Sequence, residues 1–513
     1  MQAQASARAT AALVAVAGLG IAALLLATRW GVGLTPDSAE YLKAARSLAS
    51  GHGLGLEGGE APRPLVATAP LFPAVVGGLI ALGLPPRSAV RALHALLFGG
   101  AVLGMGLVLR RGTRSLWIPL LGAFLLATSE EALRVFARVL SEPLAIVWGS
   151  LGLVLLGRHL DAPSRGRLLL AAAATALALL ARYAAAPYAA TGVLALLLQR
   201  APLRRRLAEA AGFGAAAFGP LALWLARNLA TAGRATDREI AWHPIGGPQL
   251  DQAWETLLRW LAVEGRASAW LAGALALALV GALVAHRLRG GGIAPELRSP
   301  IRLAGLFIGV TLAFLAAAIS LFDAQVRLRF RILAPVQLAL LPLVLWLLAA
   351  SAPRRPRTWT AALAILGLLF ASLHAARGFR FAAQAFRDGT GGYATRAWAA
   401  SETLAQVREL PAGAQIYSNA PDAIWLLADR EARWVPKRID VRSRQRSATL
   451  REDWGRLRRD LRSPDARLVW LDRVPWRKYL LPEERLVKAL GLVPVAETSD
   501  GTIYAAAPRP GEP

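Results

Sequence analysis

The chain has 513 residues and no cysteine, is 55% hydrophobic and only 18% charged, and carries a formal net charge of +26. Without cysteine there are no disulfides, thiolate zinc sites or cysteine nucleophiles, and a charged fraction below the ~25% of soluble domains points to lipid. In a soluble protein this basic excess would suggest nucleic acid, but much of the arginine lies in short links between apolar runs, which signals topology.

Apolar runs long enough to cross a bilayer recur from residue 9 to residue 375 and then stop. No small-residue cleavage site clearly follows the first run, so residues 9–28 read as a retained span. The basic links "LRRGTR" (109–114), "GRHLDAPSRGR" (157–167), "QRAPLRRR" (199–206), "HRLRGGGIAPELRSPIR" (286–302) and "PRRPR" (353–357) all belong in the cytoplasm by the positive-inside rule. That placement needs spans near 9–28, 88–109, 115–133, 140–157, 166–183, 184–199, 207–226, 267–286, 301–321, 331–349 and 357–375. The sequence therefore predicts an α-helical polytopic membrane protein of about eleven spans, N-terminus inside and C-terminus outside. The segment "APLFPAVVGGLIALGLPP" (69–86) is apolar but short and Pro-bounded, and counting it would break the charge alternation. It reads as a shallow or re-entrant helix.

Between the first span and that segment lies "TPDSAEYLKAARSLASGHG" (35–53). Thr35 and Pro36 suit a helix start, and Asp37 meets the positive end of the helix dipole. Asp37, Tyr41, Ala44, Ala45 and Leu48 share one face, and Glu40 reads as a solvated neighbour. The bland reading of Asp37 is a helix cap; the sharper one is an active-site acid at the membrane–water boundary.

A second carboxylate, Glu142 in "FARVLSEPLAIVWGS" (136–150), stands at the outer end of a span. An acid at the lip of a bilayer is costly unless solvated or paired, and Arg134 and Arg138 are the partners that local spacing offers. Past the seventh span, "WLARNLATAGRATDREIAWHPIG" (224–246) opens an outer loop, 227–266, with Arg227, Asn228 and Arg234 at its start. In "AQVRLRFRILAPVQLALLPL" (324–343), Arg327, Arg329 and Arg331 gather outside, against the charge rule. Anchoring to lipid head groups explains them, and so does an anionic ligand such as a phosphate. The histidines show no metal-ligand spacing, and His52 and His243 read as surface residues. No P-loop, GxSxG or Gly-rich nucleotide fingerprint is present.

After residue 375 the pattern changes, with short β-type runs such as "AQIYS" and "RLVWL" among helical stretches. Residues 1–375 therefore form a transmembrane domain with outer loops 29–87 and 227–266. Residues 376–513 form an extracytoplasmic α/β domain, with strands near 414–418 and 467–471.

The ordered set "PDSAEYLKAARSLASGHG", "PLFPAVVGGLIALG", "RVLSEPL", "RNLATAGR" and "RLRFRILAP", followed by an outward C-terminal domain, resembles the GT-C superfamily of polytopic glycosyltransferases. It looks close to bacterial members of the dolichyl-phosphate-mannose–protein mannosyltransferase type. The resemblance covers roughly residues 9–350. It implies an enzyme of the bacterial plasma membrane that moves a hexosyl or pentosyl group from a polyprenyl-phosphate donor to an envelope lipid, glycan or protein on the outer face.

It also implies catalytic roles for Asp37 and Glu142, the latter before Pro143. Tyr41, Arg138, Arg227, Arg327, Arg329 and Arg331 are the substrate-binding set, with Arg329, Phe330 and Pro335 as the late basic–aromatic–Pro signature. Phe330 stands where Tyr is common, and a single Asp37 replaces an adjacent Asp–Glu pair. No metal-binding residues are assigned; some relatives use a divalent metal ion, and two carboxylates are available for one. A lipid or glycan flippase is the rival reading. It would place charges deep within spans and pair discontinuous helices in inverted halves, whereas here the acids cluster at the outer ends. A non-catalytic envelope assembly protein is the third reading.

Overall fold

The computed structural model describes residues 2–56, 63–111, 113, 116–261, 295–351 and 357–507. In chain order come α1 (Gln2–Ala27), α2 (Pro36–Ala49), the antiparallel pair β1 (Gly55–Leu56) and β2 (Arg63–Pro64), α3 (Leu71–Ala81) and α4 (Pro86–Arg110). Next are α5 (Trp117–Ala127), α6 (Glu130–Phe136), α7 (Glu142–Asp161), α8 (Arg165–Ala181), α9 (Ala186–Leu197), α10 (Leu203–Ala232) and α11 (Gly247–Trp260). Three further long helices cover Pro295–Leu321, Phe330–Ser351 and Arg357–Asp388.

Among the described residues, six helices are long and apolar enough to cross a membrane: Ser6–Ala27, α4, α7, α10, Pro295–Leu321 and Phe330–Ala349. Leu169, Leu223, Leu366 and Leu368 stay exposed on helix surfaces, as lipid-facing side chains do. The expected span at 267–286 lies outside the described residues.

One expected span is broken, and one boundary falls where it was expected. The run 115–133 stops after eleven residues at Ala127, because the Thr128 hydroxyl bonds back to Phe124 O (2.8 Å) and Ser129 caps α6 by accepting from Ala132 N (3.3 Å). Between α8 and the segment that follows, Arg182 is extended (φ −160°, ψ 127°), which turns the chain at that point. The expected span 357–375 runs on as helix to Asp388, past the proposed domain boundary.

At 1.5 Å per residue the eleven residues of α3 reach about 16 Å, half of a ~30 Å hydrocarbon layer. Its work is to carry α2. Phe72 is buried against the edge of Tyr41 (centroids 5.1 Å, 85°), and a Cβ at Gly77 would come within 2.9 Å of Ala45 O. No larger residue fits at Gly77 without parting the two helices.

Residues 415–506 form a five-stranded sheet of order β4-β3-β5-β7-β6: β3 (Gln415–Ser418), β4 (Arg433–Trp434), β5 (Ala466–Leu471), β6 (Leu492–Thr498) and β7 (Gly501–Ala506). The runs "AQIYS" and "RLVWL" fall on β3 and β5, which pair in parallel, while β7 is antiparallel to both β5 and β6. Helices Glu402–Glu409, Pro421–Ala428, Leu450–Asp460 and Glu483–Leu490 flank the sheet.

One hydrophobic cluster runs from Tyr41 and Phe72 through Tyr393 and Trp398 to Ile416 and Val469. Lys43 pairs with Glu431 (2.7 Å) and Arg46 with Asp429 (2.7 Å), while both cations lie over the Trp425 ring. These contacts place α2 and the sheet at the same end of the helical bundle.

Where the sheet meets the bundle, Arg477 makes a two-pronged contact with Asp422 (2.7 and 2.9 Å) and donates to Asn419 O (2.7 Å). Tyr393 donates to the same carboxylate (2.8 Å). Both partners are nearly dry. Removing one partner of a buried pair strands the other's charge, typically at about 3–5 kcal/mol. Arg477→Ala is therefore expected to lower the thermal midpoint of the detergent-solubilised protein by several degrees, and a midpoint within a degree of wild type would refute that role.

Candidate active site

The site begins with a backbone register. Gly33 N donates to Ala137 O (2.7 Å) and Val139 N to Gly33 O (2.9 Å), so the segment entering α2 runs beside the segment entering α7. On the other side, Tyr393 N donates to Leu34 O (2.9 Å). Glycine is needed at two of these positions. A Cβ on Gly33 would press on Arg138 Cγ at 2.8 Å, and Gly392 has φ +61° against the Leu34 carbonyl.

Ser38 then locks the first turn of α2. It accepts from Thr35 N (2.8 Å) and donates to Val139 O (3.0 Å). Two helix N-termini, with Asp37 on one and Glu142 on the other, are thereby held side by side, and both dipoles favour the carboxylates.

Arg331, in the first turn of Phe330–Ser351, joins them. Its Nη2 donates to Asp37 Oδ2 (2.6 Å) and its Nε to Glu142 Oε1. Arg182 Nη1 reaches the same Glu142 oxygen (3.0 Å). Glu142 is 3% exposed, whereas the Asp37 side chain keeps 46% of its surface open. Desolvation pushes the Asp37 carboxyl up, but Arg331, with Arg182 and Arg238 behind it, outweighs this and holds it below the ordinary range.

Tyr41 is buried and shares a hydrogen bond with Ser141 Oγ (3.0 Å). Burial and then Glu142 push its phenol up to about 12, so it stays neutral and fixes the turn before Glu142. The Arg138 guanidinium lies over the Phe330 ring (5.1 Å). Burial, then Arg134 and Arg331, brings it down to about 10, and it remains a cation at neutral pH.

The structure does not draw the other candidates into this group. Arg327 and Arg329 are exposed, and their part is local: Arg329 N donates to Arg327 O (2.7 Å) at the turn before the helix. Arg227 lies over Trp224 (4.7 Å) and donates to Asn228 (3.1 Å). The partners expected for Glu142 are corrected. Arg134 binds Glu130 one turn before it (2.7 Å), and Arg138 is spent on Phe330, so Glu142's cations come from 40 and 189 residues further along. His243 is buried rather than on the surface.

Arg182 was missed by sequence reasoning. The available signal was a lone cation in the middle of an apolar stretch, "LALLARYAAAPY".

A divalent metal would need the two carboxylates to share an open position, and Arg331 stands between them. Among the described residues no group of three or more His, Asp or Glu side chains could hold a metal ion. Asp37 and Glu142, so arranged, do not fit one. Arg331 and Arg182 meet the two carboxylates directly, and Arg138 lies near Arg331 over the Phe330 ring, so guanidinium groups gather at this end of the helices.

No protein-family model matches the chain, and no curated protein does so either. Solved structures do. ArnT from Cupriavidus metallidurans in the apo state is similar over 98% of this chain and 100% of its own, with TM-score 0.64 and 15% identity. The same protein bound to undecaprenyl phosphate gives TM-score 0.60 over 97% and 99%, also at 15% identity. Arabinofuranosyltransferase AftD from Mycobacteria gives TM-score 0.50 at 16% identity, over 97% of this chain and 40% of AftD. The chain shares the fold of these solved structures, a GT-C fold with an α-helical membrane architecture.

Proposed function

We propose that this chain is an integral-membrane glycosyltransferase that moves a sugar from a polyprenyl-phosphate carrier to an envelope acceptor (lipid, glycan or protein) on the outer face of a bacterial plasma membrane. The observation that carries the reading is Arg331 bridging Asp37 and Glu142 where α2 and α7 begin. It is supported by the GT-C fold and by the ArnT complex with undecaprenyl phosphate.

A polyprenyl phosphate is already a good leaving group, so the step needs cations for the departing phosphate and a carboxylate for the acceptor hydroxyl. Arg331, Arg182 and Arg138 receive the phosphate, with exposed Arg327 and Arg329 guiding its approach at the rim and Arg227 further along the outer loop. Glu142 fixes the direction of the Arg331 and Arg182 guanidinium groups. Asp37, already ion-paired, orients the acceptor hydroxyl. A single displacement inverts the anomeric centre. No step runs through a metal. In this reading residues 1–375 carry the transferase and residues 376–513 shape acceptor access from outside.

Ligand binding tests the anion site directly. Undecaprenyl phosphate at 100 times its Kd is expected to stabilise the purified protein by ~2.7 kcal/mol, seen as a raised thermal midpoint. Undecaprenol, which lacks the phosphate, is expected to do far less. Equal shifts from both lipids would remove the phosphate from the account.

A further inference from the structure

Glu40 is one helical turn beyond Asp37 on α2, and i,i+3 side chains lie on one helix face about 5–6 Å apart. That face, Asp37–Glu40–Lys43–Arg46, leads from the Arg331 ion pair at one end to the sheet at the other, where Lys43 and Arg46 are paired. Two segments bring charged groups towards Glu40. The loop after α10 brings Asp237 and Arg238, and the loop after β4 brings Arg442 and Lys437. Those two loops are stapled together by Arg442, which binds the Asp237 carboxylate and whose Nη1 also reaches Asp237 O (3.1 Å); the segment before Phe330 joins them, with Ala324 N donating to Arg442 O (3.1 Å). Glu40 is therefore half-buried on the α2 face that runs from the Arg331 ion pair to the sheet.

The two carboxylates of this face differ in what they are free to do. Asp37 is committed to Arg331 and holds its proton weakly, which suits orientation and not proton uptake. We infer that Glu40 is the catalytic base, taking the proton of the acceptor hydroxyl while Asp37 orients that hydroxyl; this rests on the glycosyltransferase reading above. In the step the acceptor O–H bond breaks and its oxygen bonds to the anomeric carbon. The bond from that carbon to the phosphate oxygen breaks, the polyprenyl phosphate leaves with the electron pair, and Glu40 ends protonated.

Its setting matches that work. Burial, then Asp37 and Asp237, pushes the Glu40 carboxyl up to about 7, against the opposing pull of Arg442 and Arg238. A carboxyl of that strength is present in both protonation states near neutral pH, so it accepts a proton readily once deprotonated.

Two measurements on the full-length protein test the assignment. In pH-difference infrared spectra, a protonated-carboxyl band is expected to titrate near neutral pH, to persist in Asp37→Asn and to vanish in Glu40→Gln. In transfer assays with undecaprenyl-phosphate-linked sugars, Glu40→Gln is expected to lose ~100-fold or more in kcat with little change in donor KM. Wild-type activity should rise with pH through about 7, a limb that the Glu40→Gln residue of activity lacks and Glu40→Asp retains. A missing band, or a Glu40→Gln rate and pH profile like wild type, overturns the role of Glu40 and leaves the glycosyltransferase reading standing. A band present in a wild type that transfers no such sugar overturns that reading and this step with it.

Discussion

Asp37→Asn is expected to cut sugar transfer by about 100-fold or more while leaving the protein folded. The substitution keeps the shape of the side chain and removes its charge. With the charge gone, Arg331 loses one of its two carboxylates, and the acceptor hydroxyl loses the anion that aligns it. Stability should change little, because the side chain is 46% exposed and an ion pair open to solvent is worth ~1 kcal/mol or less. The expected signature is a fall in kcat with a nearly unchanged thermal midpoint. A wild-type rate would remove Asp37 from the site.

Arg331→Lys should be as damaging for a different reason. The guanidinium serves two carboxylates from two different nitrogens, Nη2 to Asp37 and Nε to Glu142. An ammonium is a single point on a flexible stem and cannot span both in fixed geometry. Positive charge survives in this variant but its direction does not. Losing one oriented group at a developing negative charge commonly costs ~100- to 1000-fold in kcat, and that is the loss expected here. Donor binding should weaken less, because Arg182 and Arg138 remain. If Lys supported transfer at the wild-type rate, the site would need only charge and the bridging geometry would be irrelevant.

Those two substitutions rest on a contact between residues 189 and 294 positions apart, which explains what the sequence could and could not disclose. Local signals carried far. "TPD" begins α2 where capping chemistry places a helix start, the Pro-bounded 69–86 segment contains the short helix α3, and "AQIYS" and "RLVWL" mark the parallel pair β3–β5. The GT-C fold was expected from a resemblance carried by the ordered motifs between residues 9 and 350.

Pairing was not. Arg134 sits near Glu142 in sequence but is captured by Glu130 at i,i+4, a geometry every helix offers. Among Arg327, Arg329 and Arg331, the choice depends on where the helix starts, and only Arg331 lies inside it. Thr128 and Ser129 look unremarkable within an apolar run, yet their hydroxyls end one helix and cap the next. Glu40 reads as solvated because the residues that surround it, Asp237, Arg238, Lys437 and Arg442, arrive from 197 to 402 positions away. The fold's periodic and capped elements are written locally; the site is written in contacts between them.

The most direct measurement adds radiolabelled undecaprenyl-phosphate sugars to membranes containing the wild-type protein, the Asp37→Asn variant, the Arg331→Lys variant or no added protein. The expected result is label leaving the carrier for an envelope acceptor only with wild type, with both variants falling close to the protein-free background while still binding the carrier lipid. Transfer by the variants at the wild-type rate, or equal transfer with and without the protein, would contradict the Asp37–Arg331–Glu142 site as the seat of the reaction.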